Sequence, residues 1–210
     1  TKSKLGGLGS ALSSIKPYAV AAGGALVAAF GKGAVSAFNE SQKVAAQTAA
    51  VLKSTGGAAG VTAKGVEELA GRLQKLSGVE DEAITQGANL LLTFTNVKNA
   101  AGKGNDVFDQ ATKTLLDMST AMGTEPKAAA IQLGKALNDP VKGITALTRV
   151  GVTFTEEQKK QIESMVAAGD TMGAQKIILG ELNKEFGGSA KAMGDAQGPG
   201  QRLSLQMGEL

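Results

Sequence analysis

Two stretches of this 210-residue chain carry residue types that could do chemistry. Glu80, Asp81 and Glu82 are three consecutive acids, the kind of run that can hold a metal ion. Gly102-Lys103-Gly104 resembles part of a phosphate-cradling loop. The acids fall in the first turn of a predicted helix reaching about Thr95, where the helix dipole favours negative charge with no ligand present. No matching ligand cluster stands elsewhere, and the Gly-Lys-Gly lacks the GxxxxGK[ST] frame, so it reads as a turn in the loop Asn96–Asn105. The chain has no Cys and no His. Disulfides, cysteine nucleophiles, histidine-based triads and most zinc chemistry are thereby removed. An enzyme, for example a cell-wall hydrolase using two carboxylates, is a further reading, but the acids sit at helix starts or in salt-bridge spacing. No catalytic residue, no metal ligand and no cofactor is expected.

The elements around these stretches are better specified than any site. The stretch Leu133 to Thr155, LGKALNDPVKGITALTRVGVTFT, is the best punctuated. A helix carrying Ile131, Leu133 and Leu137 runs into Asn138-Asp139-Pro140. There Asn138 or Asp139 can cap a new helix whose first residue is Pro140. The residue before a proline avoids the α region, so the first helix stops here. The second helix has Val141, Ile144 and Leu147 inward and breaks at Gly151. Thr155-Glu156-Glu157-Gln158 then forms a capping box for a third. The turn residues Asn138, Asp139, Pro140 and Gly151 are the structural signature of a sharply folded helical body.

Other caps extend the pattern. Thr62 caps a helix with Val66, Leu69, Leu73 and Leu76 on one face, broken at Ser77-Gly78. Leu90–Thr95 suits a buried helix end or a short strand, and helix is preferred because no partner strand is in view. Asn105 or Asp106 caps a helix bearing Val107, Phe108, Leu115, Leu116, Met118 and Met122, with Asp109 and Lys113 as a four-apart pair on its wet side. Its methionines read as core filler. Gly123 closes it, and Thr124-Glu125-Pro126 opens the next. A helix runs from Thr155 to Gly169 with Ile162, Met165 and Val166 inward. Asp170 caps a last strong helix ended by Gly187-Gly188. The expectation is an all-α multi-helix bundle of short capped helices over 62–188, with a linker at 189–200 and, from Leu203, Leu205 and Met207, the start of a truncated helix.

The beginning of the chain differs in character. Residues 1–16 are a flexible basic lead-in, and the first 60 residues hold six Lys against one acid, Glu40. Without interleaved aromatics, contact with DNA is at most non-specific. Residues 17–55 read as an apolar, alanine-rich helix. Only 15 residues separate Lys16 from Lys32, about 22 Å of helix, which is short of a bilayer. Ala21, Gly24, Ala25, Ala28 and Ala29 give it a smooth face. That face reads as an oligomer seam, with insertion into a membrane in some other state as the alternative. A start at Thr1 without methionine and an end inside a helical pattern suggest a fragment or processed product.

Several segments resemble bacteriophage tail tape measure proteins, specifically the prophage tail length family. They are STGGAAGVT (54–62), LSGVEDEAI (76–84), LLLTFTNVKN (90–99), GNDVFDQAT (104–112), AAIQLGKALNDPVKGITALTRVGVTFT (129–155) and AQKIILGELNKEFGGSA (174–190), collinear over roughly 40–190. The resemblance implies a non-enzymatic structural protein of the virion. Such proteins are assembled in the host cytoplasm, lie in the tail tube lumen in several copies and set tail length by chain length. They leave when DNA is ejected. It implies as partners other copies of the chain, the tail tube, the tail tip and the tail assembly chaperones. Some members help DNA cross the host envelope, which keeps a membrane-active helical channel as the alternative. Fully helical, 210 residues would reach only about 300 Å, and the Gly and Pro breaks forbid one rod. The chain is therefore expected to be a folded module of a longer protein.

Overall fold

Side-chain caps and left-handed glycines divide the chain into helices. The computed structural model describes residues 19–197, with backbone alone at 19–35 and 37. The expected lead-in at 1–16 and the helix start at Leu203, Leu205 and Met207 lie outside the described residues. Helix α1 spans Ala19–Ser54, and Gly56 at φ +62° turns the chain after it. Helix α2, Ala63–Ser77, begins where the Thr62 hydroxyl accepts from Gly65 N at 3.0 Å and ends at Gly78, φ +71°. Helices α3 (Asp81–Leu92), α4 (Val107–Met122), α5 (Pro126–Asn138) and α6 (Pro140–Thr148) follow. Helix α7, Glu156–Ala167, carries the full capping box between Thr155 and Gln158. In α8, Thr171–Phe186, the Asp170 carboxylate accepts from Gly173 N at 2.8 Å. The last described helix, α9, spans Ser189–Ala196.

The fold is all-α. Leu90–Leu92 complete α3 and the chain then turns; among the described residues the only β pairing is an isolated bridge, Asn99 to Asp106. The core is filled by Ile84, Leu91, Phe108, Leu115, Leu133 and Ile178, all at most 1% exposed, with smaller residues between them. Helix α3 packs on α2 and α5, while α4 lies against α5 and α8. Close approach at the α5–α6 corner depends on Gly143, where a Cβ would stand 2.2 Å from Ala136 Cα.

Two compact units divide within α1, at Gln42/Lys43, rather than at the STGGAAG loop. The reason lies in α1 itself: Val44 and Thr48 are buried, and Val51 and Leu52 pack against the core cluster of the second unit. Several expectations need correction. Residues 189–196, expected as linker, form α9. Ile131 faces outward at 42% exposure and Leu76 is 36% exposed, because the inward faces of α5 and α2 are set by Ala130, Leu133 and Leu137 and by Val66, Leu69 and Leu73. Lys113 pairs with Asp117 at 2.9 Å rather than with Asp109, which is occupied by Asn99.

Candidate functional site

The turn at 138–140 is assembled from local signals and locked by distant ones. Asp139 caps α6, its Oδ1 accepting from Lys142 N at 3.4 Å, and Pro140 sits at the first helical position. The Lys142 side chain, 3.0 Å away, holds the Asp139 carboxyl below the usual range through its hydrogen bond. Both groups are exposed, so this pair contributes little stability. Beyond it, Gly151 at φ +99° ends α6, and Leu147 O accepts from Val150 N and Val152 N.

Behind the turn lies a clamp that local spacing does not reveal. The last carbonyls of a helix lack intrahelical partners and need others. At the end of α5, Leu137 O accepts from Gln175 Nε2 at 2.8 Å, and Asn138 O accepts from Asn96 Nδ2 at 2.9 Å. Gln175 Nε2 also donates to Asn96 O at 2.8 Å, and Asn96 N donates to Asn138 Oδ1 at 3.3 Å. Gln175 is 1% exposed. One amide from α8 thus ties the loop after α3 to the end of α5.

Two further polar side chains act across the fold in the same way. Asn99 N donates to Ala59 O at 2.8 Å, while its side-chain oxygen accepts from Phe108 N at 2.9 Å. It therefore caps α4 from a distance; Asp106, at the N-cap position, makes no side-chain cap bond. Asp117, with a side chain 3% exposed, accepts from Lys113 Nζ and from Ala190 N at 3.1 Å. Asn138, Asp139, Pro140 and Gly151 lie at the two turns flanking α6, and Asn96, Asn99, Asp117 and Gln175 add bonds that reach beyond them.

The acidic run has a different fate. Asp81 and Glu82 occupy the first turn of α3, with Glu80 at the N-cap position and Gln74 Nε2 donating to Asp81 Oδ1 at 3.2 Å. Among the described residues no group of three His, Cys, Asp or Glu is placed to hold a metal. Burial pushes the Glu82 carboxyl up to about 7, helped by its hydrogen bond with Asp81 and by the charges of Asp81 and Glu80. The folded chain therefore holds this proton more tightly than the unfolded one. Glu82 contributes stability in full below pH 4.5, and that contribution is lost as pH rises toward about 7. Asp139, Glu156 and Glu181 are held low by lysine partners and act with the opposite sign, withdrawing stability as pH falls through their depressed values. Melting temperature measured between pH 4.5 and about 7 should fall with pH in the parent and flatten in Glu82→Gln. Equal slopes in the two proteins would exclude this assignment.

The small residues Ala21, Gly24, Ala25, Ala28 and Ala29 lie in α1, and their side chains are outside the described ones. Further along α1, Phe38 is 53% exposed, and Ala45, Ala46, Ala49 and Ala50 are exposed. Among the described residues no helix is long and apolar enough to cross a membrane.

Gln175, Asn99 and Asp117 thus each accept from or donate to the chain's own backbone across the fold. The chain belongs to the prophage tail length tape measure protein family, whose model matches residues 1–163. It is thus a member of a family of phage tail structural proteins. The matched range includes α1 and ends within α7, so the AQKIILGELNKEFGGSA segment lies beyond it. Neither a curated protein nor a solved structure matches the chain.

Proposed function

We propose that this chain is a folded module of a tape measure protein that fills the tail tube during assembly, sets tail length and is released when DNA is ejected. The observation that carries the reading is the family match, continuous from the first residue through α1 and most of the bundle. The fold supports it. Helix α1 runs for 36 residues, and from Lys43 to Ala50 only Val44 and Thr48 are buried. Its exposed alanines allow close approach of another helix, and the partner proposed is another copy of the chain. The capped bundle offers a rigid body for contact with the tail tube, the tail tip or an assembly chaperone. Its place in this reading is the tail of the virion.

The test is tail length. Helical residues added to or removed from the parent protein, in phase with the helix, should change tails in negative-stain images by about 1.5 Å per residue. Tails of unchanged length would overturn the proposal.

A further inference from the structure

Helix α9 is seated on α2 and α4. Of its eight residues only Ala190 and Gly194 are buried, one turn apart on one face. Lys191, Ala192, Met193, Asp195 and Ala196 are exposed. A helix of this length does not hold itself in water and depends on its seat. At its start, Ala190 N donates to Asp117 Oδ1 at 3.1 Å, and the other oxygen of this buried carboxylate is held by Lys113. At its end, Gly194 lies so close to α2 that a Cβ would stand 2.2 Å from Leu76 O. Gln197 Nε2 then reaches Ser77 O at 3.5 Å. The segment before α9 is Gly187-Gly188, and Gly188 is left-handed at φ +87°.

We infer that α9 is a detachable clasp, leaving its seat on α2 and α4 as one unit and pivoting at Gly187-Gly188 while the rest stays folded. The largest fully buried side chains all belong to other helices, so departure of α9 takes only the small residues Ala190 and Gly194 out of buried positions. Asp117 keeps Lys113 as a partner and gains water in place of Ala190 N. Release therefore leaves no charge stranded, the condition that makes local opening cheaper than global unfolding. The vacated seat uncovers Asp117 on α4 where Ala190 sat and the end of α2 where Gly194 sat.

Amide hydrogen exchange on the full chain tests this. Amides of 190–196 should exchange about 100-fold faster than those of Leu115–Met118, all with one common opening constant, as expected for a cooperative local unit. Asp117→Asn, which weakens the acceptor but keeps its shape, should speed α9 exchange about tenfold and leave α3 and α5 unchanged. Gly194→Ala attacks the other end without touching a charge and should have the same local effect. Protection of α9 equal to that of α4 would overturn the clasp. So would fraying graded from Ala196 inward and indifferent to both variants, or acceleration of α4 and α9 alike.

Discussion

Adding one methyl group at Gly143 is expected to force α5 and α6 apart. In an open helix, glycine to alanine is stabilising by up to about 1 kcal/mol, because alanine has less chain entropy to lose. Gly143 reverses that sign. A Cβ there would lie 2.2 Å from Ala136 Cα, 2.5 Å from its carbonyl oxygen and 2.7 Å from its carbonyl carbon. These are backbone atoms of the preceding helix, so no side chain can rotate away. Relief requires opening the Asn138-Asp139-Pro140 corner and with it the contacts of Leu137, Ile144 and Leu147. Overpacking of this kind costs about 3 kcal/mol, which lowers the melting temperature of a chain this size by roughly 6–12 °C. Gly180→Ala is the matched control, since that exposed position in α8 has nothing within 4 Å of an added Cβ. It should be neutral or stabilising. Equal melting temperatures for the two variants would mean that the corner is not held by close backbone approach.

The corner also shows which features were legible in the amino-acid sequence. Thr62 to Gly65, Asp139 to Lys142, Thr155 to Gln158 and Asp170 to Gly173 are three-residue relations, set by helix geometry alone, and all four are present in the structure. The all-α class followed from the same caps and from apolar spacing. What was missed acts across the fold. Asn99 caps α4 from nine residues before Phe108, and Gln175 reaches Asn96 over 79 residues. No periodicity encodes such partners; only the packed chain brings them together. Lys113 lies four residues from both Asp109 and Asp117, so spacing offered two equal pairs and the engagement of Asp109 by Asn99 favoured the second. Helix α9 was hidden because its inward residues, Ala190 and Gly194, are small. A linker and a clasped helix look alike when the buried face carries so little apolar mass.

The clamp behind the corner supplies the other large effect. Gln175→Leu keeps the volume and the burial but removes the one nitrogen shared by Asn96 O and Leu137 O. Leu137 O is buried and would be left without this donor, at a cost of about 1–3 kcal/mol, whereas the carbonyl of exposed Asn96 can turn to water, so the loss should fall at roughly 1–3 kcal/mol with the backbone otherwise in place. Gln175→Glu separates polarity from shape. As a carboxylate it would face two carbonyl oxygens with no proton to offer, so it should be more damaging than leucine at neutral pH. Burial and those oxygens favour its neutral form, so its folded-state pKa must lie above the ordinary glutamate value. The glutamate variant should therefore regain stability as pH falls toward about 4, when a proton returns to donate to one of the two carbonyls. The leucine variant should show no such recovery. Denaturation midpoints of both variants, measured at neutral and mildly acidic pH, distinguish the outcomes. If leucine and glutamate cost the same at both, the side chain acts as filler, and the join between the α3 loop and the end of α5 must be credited to apolar packing instead. If glutamate alone recovers in acid, a single buried donor holds the loop after α3 to the helix that enters the turn.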